Sequence, residues 1–86
     1  HDDLVVPIEE RDDVIGFWRY GQDGRTGVLV AHETSGRDTD IELQLPPDVT
    51  FIAAHPGVEQ DERELTLTFE ARRTLVVPFV YDATNA

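Results

Sequence analysis

Asp40-Ile41-Glu42-Leu43-Gln44-Leu45 alternates polar and apolar residues without a break and is stopped by Pro46-Pro47. Ile41, Leu43 and Leu45 fall on one side of an extended chain and Asp40, Glu42 and Gln44 on the other, the two-residue period of a strand half buried against a core. Proline cannot donate to a sheet ladder, so the pair ends the strand. The same period returns where Leu65, Leu67 and Phe69 alternate with Glu64, Thr66, Thr68 and Glu70.

On either side of these strands, turn residues separate further extended segments. Ser35-Gly36-Arg37-Asp38 precedes the central strand, and upstream of it Val14 to Tyr20 and Gly27 to Glu33 flank Gly21-Gln22-Asp23-Gly24, which carries hairpin chemistry. Leu4, Val6 and Ile8 alternate with Val5, Pro7 and Glu9, and Pro7 suits an edge strand. Downstream, Val49 to Ala54 reads as extended. His55-Pro56-Gly57 places Pro and Gly at the two central positions of a type II turn. Ala71-Arg72-Arg73 turns the chain into Thr74 to Tyr81, which is apolar on both faces and belongs in a sheet interior or under another chain. The tail from Asp82 reads as frayed. The expectation is all-β: one small antiparallel β-sandwich domain of immunoglobulin-like size over residues 1–86, with six to seven strands and no helix.

Charge bounds the partners. Eighteen Asp plus Glu face seven Arg and no Lys, a net charge of −11 on 86 residues. Repulsion at that charge opposes the compact state at low ionic strength, so the composition reads as salt-adapted. Nucleic acid is disfavoured, because its affinity rests on cations neutralising phosphates, and an anionic membrane surface is disfavoured for the same reason. No apolar run is long enough to insert into a membrane. With no Cys there is no disulfide framework and no thiolate chemistry. A chain that begins at His1 reads as a processed or excised piece; localisation is open, with an extracellular, virion or cell-surface setting favoured.

No constellation indicates catalysis. Asp38, Asp40 and Glu42, two apart on a strand, stand about 6.5 to 7 Å from one another, too wide for one ion, and calcium is normally held by a curling loop. His1, His32 and His55 show no metal-ligand spacing. Ser35 lacks a nucleophile elbow. The expectation is no catalytic residue, no metal and no cofactor. Phe17, Trp18 and Tyr20 are the candidate binding residues, since aromatic faces with a polar handle suit sugars or partner chains. Alternation sets Trp18 with Gly16 and Tyr20 on one face and Phe17 with Ile15 and Arg19 on the other, so one large ring points outward unless both sheet faces are covered. Burial of Trp18, in the domain or in its assembly, is the expected outcome.

Phe17-Trp18-Arg19, the run Gly27 to Gly36, the strand Ile41 to Leu45 closing on Pro46, then Leu65 to Phe69 and Leu75 to Phe79 together resemble the C-terminal β-sandwich domain of α-amylase-like glycoside hydrolases. In those enzymes the catalytic carboxylates lie in a preceding barrel, so the resemblance implies an accessory domain without catalytic residues of its own. Because the chain is one small domain without a catalytic constellation, the expected function is a non-catalytic structural or assembly module, of surface, filament or virion decoration type, that meets a protein partner or itself. The alternative is an accessory domain of a carbohydrate-active enzyme with weak sugar binding.

Overall fold

The computed structural model describes residues 3–82, and all regular structure among them is β. Eight strands follow in order: β1 (Leu4–Pro7), β2 (Val14–Tyr20), β3 (Thr26–Glu33), β4 (Thr39–Gln44), β5 (Val49–Phe51), β6 (Val58–Asp61), β7 (Glu64–Phe69) and β8 (Thr74–Tyr81). They form two antiparallel sheets, a five-stranded one ordered β1-β2-β3-β8-β5 and a three-stranded one ordered β4-β7-β6. His1 and the tail beyond Asp82 lie outside the described residues.

The core lies between the sheets, where the alternation of each strand delivers it. Val14, Trp18, Leu29, Ala31, Val77 and Phe79 come from the larger sheet and Ile41, Leu65, Leu67 and Phe69 from the smaller. β1 is an edge, as Pro7 requires, and β8 sits in the interior between β3 and β5. Its second apolar face is nonetheless left open, with Val76 51% exposed. At His55-Pro56-Gly57 the Val58 N–H donates to the His55 carbonyl at 3.1 Å and Gly57 holds φ 80°, the geometry of a type II turn.

Two local readings change. Regular pairing in the segment from Val49 stops at Phe51, and Val58–Asp61 forms a strand that the alternation does not announce, which brings the count to eight. β6 is an edge strand in which only Val58 packs on the core. Its hairpin to β7 turns through Glu62 at φ 56°, a left-handed conformation normally signalled by Gly or Asn.

Candidate functional site

The aromatic candidates separate. Trp18 is 5% exposed and lies in the core, 5.7 Å from Phe79 in an edge-to-face contact and 6.3 Å from Phe51 in a stacked one. Tyr20 is half-buried on the same inner face, edge-on to Phe79 at 5.4 Å and to Tyr81 at 4.8 Å. Burial, with smaller contributions from Asp48 and Tyr81, pushes the Tyr20 phenol above its ordinary range. Tyr81 fixes the cluster by donating its hydroxyl to the Gly21 carbonyl at 2.7 Å. Phe17 is the outward ring.

Phe17 is part of a larger surface that single-strand alternation does not reveal, because it arises from register. Pro7 pairs with Phe17, Phe17 with Val30 and Val30 with Val76, so one cross-strand row of four apolar residues runs over the outer face of the five-stranded sheet. The adjacent row is Val5, Arg19, Val28 and Pro78. Ile15 and Val80 flank the rows and are themselves exposed. The paired strands place no Asp or Glu on this face, and the one carboxylate beside it is Asp3, just before β1. Its cation, Arg19, is paired with Asp3 at 2.6 Å.

The outer face of the smaller sheet is the opposite in kind. Asp40, Glu42, Glu59, Asp61 and Glu64 stand there with Thr66, Thr68 and Gln44, without a basic residue. Asp61 and Glu64 are direct cross-strand partners. Of the three carboxylates read together in the sequence, Asp40 and Glu42 belong to this face, whereas Asp38 precedes β4 and accepts the Ala71 N–H at 3.0 Å.

Of the hollows among the described residues, two are walled by both sheets. One, of about 630 Å3, lies between Asp38, Asp40, Gly57, Glu70, Arg73 and Leu75, with Arg73 paired to Glu70 at 3.6 Å. The other, of about 450 Å3, lies where edge strand β1 meets edge strand β4. Val6, Ile8, Trp18 and Leu43 supply its apolar wall and Glu9, Glu42 and Glu64 its acidic rim.

Glu33 was not singled out by the sequence. Its side chain is fully buried at the end of β3, yet every hydrogen bond it needs is made. One carboxylate oxygen accepts Ser35 N–H at 2.7 Å and the Ser35 hydroxyl; the other accepts Gly36 N–H at 2.8 Å and Arg72 N–H at 2.9 Å. Burial alone raises a carboxyl's affinity for its proton, but the hydrogen bonds from Ser35, Arg72 and Gly36 together outweigh it and hold Glu33 at about 2. With its oxygens occupied by Ser35, Gly36 and Arg72, Glu33 is a loop clamp. The available signal was its phase: Glu33 is in step with buried Leu29 and Ala31 and is followed by Ser35-Gly36, both donors.

Among the described residues no helix is long and apolar enough to cross a membrane. No family model, curated protein or solved structure matches the chain.

Proposed function

We propose that this domain is a non-catalytic assembly module that associates with a second copy of itself through the outer face of its five-stranded sheet. The observation that carries this reading is an apolar face whose strands bear no carboxylate, its one neighbouring Asp3 being paired with Arg19, on a chain of net charge −11. Contiguous apolar surface of this kind marks an interaction site. Four strands about 4.8 Å apart and four rows about 7 Å apart give roughly 500 Å2 per copy, or about 1,000 Å2 in total, the lower limit for a specific interface. Face-to-face packing turns the acidic outer sheets away from each other, across a molecule whose short axis is 18 Å. That separation exceeds the Debye length of about 8 Å at physiological ionic strength, so the acidic sheets oppose association little there, and salt favours it by removing the repulsion that remains at low ionic strength. The same high charge makes salt adaptation part of the reading.

Sedimentation velocity from dilute to high protein concentration, in low and molar KCl, tests it. The unaltered domain should self-associate reversibly and more strongly in salt, and Val30→Asp with Val76→Asp should abolish this while leaving a β-rich far-UV spectrum. A monomer at all concentrations and salts would refute self-assembly. The accessory-domain reading is favoured by one observation, the cleft walled by Trp18. It requires that malto-oligosaccharide protect Trp18 from a soluble quencher.

A further inference from the structure

The two sheets are unequal, and the inequality leaves a gap. On β1, Leu4 and Val6 pair with Tyr20 and Trp18 and therefore point to the inner side, yet they are 61% and 41% exposed. The three-stranded sheet ends at β4, and beyond it no described strand covers them. The cleft beside Trp18 is the mouth of that gap.

Four strands form the edges of the two sheets, and they differ in what they offer an incoming chain. β1, β5 and β6 have four, three and four residues, and β1 contains Pro7, which has no N–H to donate. β4 has six residues and no proline between Thr39 and Gln44. It is the longest unpaired ladder of the fold, and extended peptides add to such edges. Its side chains set the pattern a partner must match. Inward-facing Ile41 and Leu43 ask for apolar neighbours, outward-facing Asp40 and Glu42 for cations. Glu9 and Glu64 extend the acidic rim, and none of the residues lining the cleft is basic. The same carboxylates repel a second β4, so the edge selects against its own copy.

We propose that the β4 edge accepts an extended peptide of alternating apolar and basic residues as a fourth strand of the smaller sheet. The apolar side chains enter the cleft beside Trp18, Leu43 and Val6, and the basic ones meet Asp40, Glu42, Glu9 and Glu64. The added strand covers the inner face of β1 that the sandwich leaves open. This site is separate from the outer face of the larger sheet and does not depend on self-association.

The test uses the domain, the heptapeptide Lys-Val-Lys-Val-Lys-Val-Lys, its counterpart with Glu for Lys, and its counterpart with Gly for Val. Trp18 is the chain's single Trp, so its emission reports filling of the cleft, and amide hydrogen exchange reports pairing along β4. The Val–Lys peptide should shift the emission and slow exchange in residues 39–44; the other two should not. Glu42→Lys, an exposed change, should weaken the Val–Lys peptide about ten-fold and strengthen the Val–Glu one. The Val30→Asp, Val76→Asp variant should bind as the unaltered domain does. Equal effects of the Val–Lys and Gly–Lys peptides would reduce the site to unspecific charge attraction and overturn the proposal. Protection confined to other strands, or an emission change with malto-oligosaccharide and none with peptide, would overturn it as well.

Discussion

The buried carboxylate of Glu33 accepts the backbone N–H of Arg72, 39 positions further along the chain, at 2.9 Å. The backbone of the same pair of loops is tied again where Glu33 N–H donates to the Arg73 carbonyl at 3.0 Å. Gly36 at φ 81° adopts the left-handed region freely, whereas Arg72 at φ 61° does so at a cost that the hydrogen bond to Glu33 offsets.

This clamp should contribute to acid stability. Glu33 is lowered from 4.5 to about 2, and Asp23, held first by the Thr26 hydroxyl and then by the Thr26 and Arg25 amides, from 3.8 to about 2. A folded-state value below the unfolded one favours the ionised native protein, so the contribution is complete above about pH 4.5 and is lost as pH falls toward 2. Glu33→Gln should lower the melting temperature at pH 7 on the order of 5 to 10 °C, because the amide brings a donor to a site surrounded by donors. It should also flatten the melting temperature between pH 4.5 and 2. An unchanged acid profile in this variant would show that other groups govern acid unfolding.

Screening should stabilise the domain independently of its assembly. Asp61 and Glu64 oppose each other directly across β6 and β7, an arrangement that costs a few tenths of a kcal/mol or more at low ionic strength. The melting temperature of the Val30→Asp, Val76→Asp monomer should rise from low-salt to molar KCl. Glu64→Gln should narrow that rise. A flat salt response would remove salt adaptation from the reading.

Glu62 offers a test of backbone strain. Held at φ 56° without the freedom of glycine, it should yield about 0.5 to 1 kcal/mol of added stability on Glu62→Gly, measured by urea unfolding. Glu62→Gln removes the same charge and keeps the side chain. Equal gains from both would assign the effect to charge and not to conformation.

Trp18 and Leu67 report on the core. Trp18→Ala should cost about 3 to 5 kcal/mol and Leu67→Ala about 2 to 4, whereas Asp40→Asn on the acidic face should be neutral or slightly stabilising. In the unaltered domain Trp18 emission should be blue-shifted and poorly quenched at every protein concentration. Efficient quenching at all concentrations would contradict its place between the sheets.

Strand identity was legible wherever a strand has one wet and one buried face. Ile41 to Leu45 and Leu65 to Phe69 write that contrast directly, and Pro56-Gly57 states its own turn. β6 escaped because an edge strand of Glu59, Gln60 and Asp61 has almost no buried face to record. Glu62 supplies a turn without turn chemistry. The apolar outer surface escaped for another reason: Phe17, Val30 and Val76 become neighbours only through the registers of three strands. Glu33 was visible by phase, but a carboxylate in step with a core reads as an interruption until its donors, one of them 39 residues away, are in place.

The position of β8 has a kinetic consequence. The last of the eight strands lies between β3 and β5 and pairs Thr74 with His32 and Val80 with Thr26, so the larger sheet closes through contacts 42 to 54 residues apart. Until β8 arrives, β3 has one open edge, and Leu29 and Val30 have a strand on one side only. Such non-local closure is slow. A chain with an unfilled sheet edge is prone to pair with its neighbours, and a net charge of −11 opposes that encounter while the place between β3 and β5 is empty.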